Sequence, residues 1–471
     1  MKTKKPRATS IHKVRRDVMG GKRGAGHYLQ RKGRRIRRPD ASRIRPGQSD
    51  PTLTGVAGLA EFGSFCRQVN LDSELKQRFG HMKTGVHVVY PMPEQVRLLL
   101  DAQLCGESRV LGLEALAADR LFVHLAGGTV PSIDTVYRDL CRFEHKTLAS
   151  LEDLMVTQGF ALLATSPKHI HIDIDTTVEE VFGHQQCALP GPNPRYRARP
   201  SYHPLLAVVA ETGACVGAKL RPGNRGFGAD DAPTIVRWIK RIRTRVGADT
   251  MITVRIDAAG DCIELIEKLD ALGVRLVIKL RGTSDLLGVA LVHQNWTVTQ
   301  RDGDDVIERV AVLDFKRSVW VKRKQPLRVI ALRSTERGGQ QRQLWEGCDD
   351  SVQFYVTNDW LAAPEDIPRD YDGRAEIETI IRDLKHGFGI GDVPSATFNA
   401  NQAMFLVKLL AHNLLRRFAA ATLPRAFYWR SPWLQRVLIR RPGRLVRSGR
   451  RWTLRTQPNV SSPALECPHH N

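Results

Sequence analysis

The chain has 471 residues, 42% of them hydrophobic and 26% charged, a composition that suits two or three globular domains. Lysine and arginine number 72 against 49 aspartates and glutamates, a formal charge of +23, which points to a polyanionic partner, either nucleic acid or an anionic membrane surface. The longest apolar run, Ala403–Leu415, falls short of the roughly 18–20 residues that span a bilayer, and the basic N-terminus lacks a secretory apolar stretch, so integral membrane and secreted classes are disfavoured. The eight cysteines stand singly, with no C-x-x-C pair to suggest a zinc ribbon, and fit a reducing cytoplasm.

Residues 1–50 hold 17 Lys and Arg against three Asp, a net +14. The run Arg31–Arg38 has almost nothing apolar to bury, so this segment reads as a disordered basic arm that binds phosphates or, more plainly, as a solvated tail. Residues 51–165 carry a helical pattern that predicts an N-terminal helical domain. Within it Pro93–Gly106 predicts one helix, and another opens at Pro131–Ser132, capped by Ser132, and runs through Arg142. The latter is either a helix-turn-helix reader that turns Thr135 and Arg138 to DNA or an ordinary packing helix.

Strand patterns begin after Pro167. His169–Gly183 opens with strict alternation, placing Ile170, Ile172 and Ile174 on one face and His171, Asp173 and Asp175 on the other. Ser201–Leu220 reads as a hairpin turning at Glu211–Gly213; a helix over Asp231–Val246, a strand over Met251–Gly260, a helix over Asp261–Leu272 and a strand over Val274–Leu280 complete a mixed α/β layer over 166–283. A β-rich insertion over 284–352 follows, with strands at Trp296–Arg301, Val306–Val312, Ser318–Lys324 and Leu327–Arg333. The α/β domain resumes over 353–420 with the strand Val352–Thr357, a long helix over Asp366–Gly387 and a buried helix over Ala400–Phe418. In the basic segment 421–471, Arg425–Arg455 has ten Arg and no acid, interleaved with Phe427, Tyr428, Trp429, Trp433 and Trp452. This mixture suits nucleic-acid contact, or a surface hairpin whose aromatics pack inward.

Asp175 and Asp257 each end an apolar strand, where sites collect in α/β sheets, although a lone strand-end Asp is more often a turn or cap residue. Along the predicted helix Asp366–Gly387, Tyr371, Arg374, Glu378 and Lys385 fall within about 60° of one another, beside an apolar stripe of Ile377, Ile380, Ile381 and Leu384. A solvated helix with an Arg374–Glu378 pair is the plainer explanation. The chemical one is that two strand-end aspartates and a helix glutamate supply hard oxygen ligands for two Mg2+ ions, for which Mn2+ can substitute, in phosphodiester cleavage. Arg374 and Lys385 would then hold DNA phosphates, with Tyr371 hydrogen-bonding nearby.

The segment YDGRAEIETIIRDLK, Tyr371–Lys385, resembles the Tyr-Arg-Glu-Lys signature of bacterial DDE transposases. The segments DIDTTVEEVFGHQ, SYHPLLAVVAETG, AKLRPGN, VRIDAAG, AHNLLRRF and GRLVRSGRRWTLR are similar to the group named after insertion sequence 1380, and the resemblance runs from about Leu53 to Arg455. It implies an RNase H-like mixed sheet flanked by helices and interrupted by the β insertion. It also implies catalytic and metal-binding roles for Asp175, Asp257 and Glu378, with Asp173 a competitor for the first position. The implied partners are double-stranded DNA, as terminal inverted repeats and target, and a second copy of the chain in a synaptic homodimer. The activity is cut-and-paste strand cleavage and transfer in a bacterial cytoplasm, with a hairpin intermediate consistent with the family. Trp296 and Trp320 are candidates to stabilise a flipped base, though packing suits either. A DNA-binding protein that has lost catalysis is the alternative.

Overall fold

The computed structural model describes residues 45, 47–165, 167–191, 198–302, 305–320, 323, 325–335 and 350–456. Nearly all of the basic arm lies outside them. The chain divides into two compact units, Met1–Asp139 with Leu414–Asn471, and Leu140–Asn413.

The first unit begins with β1 (Leu53–Thr54) and continues through α1 (Gly58–Gln68), α2 (Leu71–Phe79), α3 (Met92–Leu104), α4 (Gly112–Leu116), α5 (Arg120–Leu125) and α6 (Ile133–Leu140). Its helices bury Leu59, Phe62, Leu75, Phe79, Leu99 and Leu100, the apolar positions that recur at helical spacing. Asp119 joins β1 to α5: its carboxylate caps α5 by accepting from the Leu121 and Phe122 N–H groups, and it also accepts from Thr54 Oγ1 and the Gly55 N–H. Ser132 accepts from the Thr135 N–H at 3.3 Å, as its predicted cap role requires, and Arg138 is exposed.

The second unit opens with α7 (His145–Phe160) and is built on β2 (His169–Thr176). The short strands β3 (Glu179–Glu180), β4 (Leu189–Pro190) and β5 (Pro200–Tyr202) form a small sheet of their own. Next come β6 (Leu205–Val209), β7 (Ala214–Lys219), α8 (Ala232–Val246), β8 (Met251–Ile256), α9 (Ile263–Asp270) and β9 (Arg275–Leu280). Then follow α10 (Ser284–Val292), β10 (Thr297–Asp302), β11 (Asp305–Leu313), β12 (Arg328–Thr335), β13 (Asp350–Thr357), α11 (Asp366–Asp372), α12 (Ala375–Phe388) and α13 (Phe398–Thr422). The boundary between the units falls within α13.

Nine strands form one mixed sheet in the order β10-β11-β12-β13-β9-β8-β2-β6-β7, in which β2–β8 and β8–β9 are parallel and the other pairs antiparallel. The fold class is therefore mixed α/β, as the sequence predicts. The strands of 284–352 continue the sheet, since β13 pairs directly with β9. Of the predicted strand Ser318–Lys324, the described residues Ser318–Trp320 form a single 3-10 turn instead, with Trp320 turned into the core, and residues 321, 322 and 324 lie outside the described residues. The hairpin turn at Glu211–Gly213 is observed, with Gly213 at φ 67°, a left-handed conformation that favours glycine.

Sheet alternation gives the two faces different chemistry. Ile170, Ile172, Ile174, Val254, Ile256 and Ile278 face α8 and α9 and bury against Ile235, Trp238, Ile239, Leu265 and Leu269. The opposite face carries Tyr355 and Val277 against Ile367 and Tyr371 of α11, with charged residues of β2 and β8 alongside. Two residues of the AHNLLRRF segment are clamps on β7. His412 Nε2 lies 2.9 Å from the Gly213 carbonyl, and Asn413 accepts from the Cys215 N–H while donating to the Cys215 and Met155 carbonyls, each at 2.9 Å. Asn413→Ala removes three buried hydrogen bonds and is expected to cost about 3 kcal/mol. A urea denaturation series that shows no loss would contradict the clamp.

After α13 the chain returns to the first unit through α14 (Ser431–Leu434) and the hairpin β14 (Gly443–Ser448) and β15 (Arg451–Thr456). β1 pairs with β14, so the basic C-terminal segment and the start of the helical domain share a three-stranded sheet.

Candidate active site

Parallel pairing of β2 with β8 sets Ile174 beside Ile256, so the two chains leave the sheet at the same edge and carry Asp175 and Asp257 out together. Asp257 is half-buried and its carboxylate accepts from the Ala259 N–H at 3.0 Å, capping a short 3-10 turn. Glu378 lies in the first turn of α12, exposed, on a helix that packs against β2. The Asp175 carboxyl pKa is raised to about 6, chiefly by burial and in smaller part by the negative charges of Asp257 and Glu378, against the opposing effects of Arg374 and the Thr176 N–H. The charges of Asp257 and Glu378 thus both reach Asp175.

The predicted single helix over Asp366–Gly387 is two helices. The chain breaks at Gly373–Arg374, where a tight turn with Arg374 N–H donating to the Tyr371 carbonyl at 2.8 Å separates α11 from α12. The reason lies across the sheet. A Cβ on residue 373 would stand 2.5 Å from Arg255 Nη1, so glycine admits the Arg255 guanidinium, which donates to the Asp370 carbonyl at 2.6 Å. The angular arithmetic of a straight helix therefore does not carry from Tyr371 to Glu378; the turn positions them instead.

The companion residues face inward. Arg374 is buried, with Nη2 at 3.0 Å from Asp175 Oδ1, and its guanidinium lies 5.9 Å from the Tyr371 ring centroid. Tyr371 is buried against Tyr355, and burial pushes its phenol up to about 12, so it remains a neutral hydroxyl at physiological pH. Lys385 donates to the Val178 carbonyl at 3.1 Å and lies 3.2 Å from Glu179 Oε1. Arg374 and Lys385, predicted at phosphates, are each placed against a carboxylate of their own chain.

Asp173 has a partner that strand alternation alone did not identify. It is fully buried and accepts from Arg255 Nε at 2.6 Å and Nη2 at 2.9 Å, its register neighbour on β8. This structural pairing separates it from Asp175. The same network fixes α11: Asp370 is 2.8 Å from His171 Nε2 and accepts from Arg275 Nη1 at 2.7 Å, while His171 Nδ1 is 2.7 Å from Glu211. Burial alone would lower the His171 pKa, but hydrogen bonds to Asp370 and Glu211 outweigh it and push the ring up to about 9. Because that value is raised above the unfolded one, the His171 contribution to stability is full below about pH 6.5 and is lost as pH rises through 9. The stability difference between wild type and His171→Gln is expected to shrink, by on the order of 2 kcal/mol after solvent screening, between pH 6 and 10. Chemical denaturation at the two pH values checks it.

Trp320 is buried with its ring 6.5 Å from that of Phe315, and Trp296 donates from Nε1 to the His293 carbonyl at 3.0 Å; both pack on the main core.

Among the described residues, no three His, Cys, Asp or Glu side chains are close enough together to hold a metal ion as they stand. The donor chemistry nevertheless fits a hard divalent cation: Asp175, Asp257 and Glu378 offer carboxylate oxygens, and the Arg374 guanidinium is drawn onto Asp175.

The family model described as "Transposase DDE domain group 1" matches residues 41–464. The chain is a DDE transposase. Membership makes it an enzyme of DNA recombination, whose family in general uses divalent metal ions. A solved structure titled as a cryo-EM structure of piggyBac transposase synaptic complex with hairpin DNA is similar to this transposase at 12% identity and a TM-score of 0.45, covering 81% of this chain and 79% of that one. No curated protein matches the sequence. No helix among the described residues of the transposase is long and apolar enough to cross a membrane.

Proposed function

We propose that this transposase is that of a bacterial insertion sequence of the 1380 group and cuts transposon ends and joins them to target DNA at an RNase H-like core. The observation that supports this reading is that adjacent parallel strands carry Asp175 and Asp257 out at one edge, with the charges of Asp257 and Glu378 both acting on the Asp175 carboxyl. These three residues would hold two Mg2+ ions, or Mn2+ in their place. Bound there, the ions supply activation of the attacking oxygen and neutralisation of the leaving one.

The chain's own residues prepare that site. Asp257 and Asp175 are fixed by backbone N–H donors at 3.0 and 2.8 Å, which set the direction of their free oxygens. Arg374 balances the charge of Asp175, and when the carboxylates are otherwise engaged its guanidinium is within reach of a DNA phosphate. Tyr371 keeps its proton and can donate to a phosphate oxygen at the same edge. Lys385 stands a few turns further along α12, balanced by Glu179. A cytoplasmic homodimer that pairs two element ends completes the proposal.

The test is Mg2+-dependent nicking and strand transfer on duplex DNA carrying the inverted repeats that flank the reading frame. Cleavage with joining supports the proposal, and cleavage without joining replaces it with a nuclease. Binding without either reaction favours a DNA-binding protein that has lost catalysis.

A further inference from the structure

The terminal hairpin shows one feature that the catalytic edge does not explain. In β14 and β15 Leu445 faces Leu454 and Arg447 faces Trp452, while on the opposite surface Arg444 stands directly across from Arg455, with Arg451 further along the same row. The first face is the attached one: the Trp452 ring lies 4.7 Å from that of His124, and Arg120 and Arg447 stand 5.3 and 5.6 Å from its centroid. The second face is open, with Arg444, Ser448, Arg451, Thr453 and Arg455 all exposed. Like charges directly opposed across a strand pair destabilise it, and Asp50, at 2.8 Å from Arg444, offsets only part of this row. A polyanion laid along the face would turn that repulsion into attraction.

We propose that the outer face of the β14–β15 hairpin is a docking surface for the phosphate backbone of duplex DNA, engaged through Arg444, Arg451 and Arg455. At about 3.4 Å per residue, Arg451 and Arg455 are spaced about 14 Å apart, comparable to the rise of four nucleotides along one strand. Pairing with β1 sets the exposed Leu53 beside Arg444 on this face, and with Val446 it is the apolar content among the arginines and hydroxyl residues, too little to insert into a membrane, which favours DNA over an anionic lipid surface. The inference rests on the transposase acting on DNA and adds a surface away from the three carboxylates in sequence.

The experiment measures the affinity of the full chain for a 30-base-pair duplex of arbitrary sequence over a range of salt concentrations. It compares wild type, the R444Q/R451Q/R455Q variant, an R444K/R451K/R455K variant, and a K240Q/R245Q/K268Q variant that removes the same charge from exposed positions on α8 and α9. The hairpin glutamine variant is expected to flatten the slope of log affinity against log salt by about 2.7 and to weaken binding in 0.1 M salt on the order of a hundredfold. The lysine variant is expected to restore most of both, and the α8–α9 variant to leave the slope unchanged. Equal losses in the two glutamine variants would show long-range attraction only and overturn the proposal, as would an unchanged slope in the hairpin variant. Retention of phosphatidylserine vesicles by wild type but not by the hairpin variant, with DNA binding intact, would assign the face to membranes instead. A wild type that shows the hairpin-dependent slope but never cleaves DNA supports this surface and removes the catalytic reading, so the two fail separately.

Discussion

Glu378→Gln is expected to reduce Mg2+-dependent strand cleavage by at least about a thousandfold, equivalent to about 4 kcal/mol of barrier, while end binding stays within about twofold. Glutamine keeps the shape of the side chain and its place in the first turn of α12, but removes the negative charge that acts on Asp175. Because Glu378 is exposed, the substitution falls among surface changes that shift folding by about 0.5 kcal/mol or less, so lost cleavage cannot be ascribed to unfolding. The measurement is a gel assay of nicking at the inverted repeat, with an anisotropy titration of the same DNA. Cleavage retained within tenfold would remove Glu378 from the site. Loss of binding together with cleavage would make it a structural residue.

Arg255→Met is expected to cost about 3–5 kcal/mol of stability at neutral pH, the largest folding effect foreseen for a single residue of this chain. The substitution leaves the fully buried Asp173 without the guanidinium that donates to both its oxygens, and it removes the donor to the Asp370 carbonyl behind Gly373. Burial already pushes the Asp173 carboxyl upward in the intact pair, so without Arg255 it escapes by taking a proton. The loss should therefore be smaller at pH 5 than at pH 8. Asp173→Asn in the Arg255→Met background should recover part of the stability, because a neutral amide tolerates burial better than an unpaired carboxylate. Urea denaturation of the two single variants and the double variant decides this. An Arg255→Met protein as stable as wild type would show that the pair does not hold the sheet edge together. A further consequence is that Arg255 variants should also reduce cleavage, through the turn that carries Arg374 and Glu378.

Much of this arrangement is legible in the residues alone. The alternation of His169–Asp175 and of Met251–Asp257 is a local property of period two, and it identifies which side chains share a face before any strand pairing is known. The apolar stripe of α12, the Gly213 turn and the buried character of α13 follow from equally local rules. The Tyr-Arg-Glu-Lys spacing is legible because it is written along a single segment, and the basic charge of both ends points to a polyanion without reference to fold.

The sequence by itself determined the α/β class and the strand-end and helix positions of Asp175, Asp257 and Glu378, since each depends on neighbours within a few residues. Only the tertiary structure decided which charge meets which. Arg255 reaches Asp173 across 82 positions and Arg374 lies beside Asp175 across 199, contacts fixed by strand register and by the turn at Gly373 rather than by periodicity. A buried charge must be neutralised by whatever the fold brings near it, and the fold brings near residues that no local pattern connects.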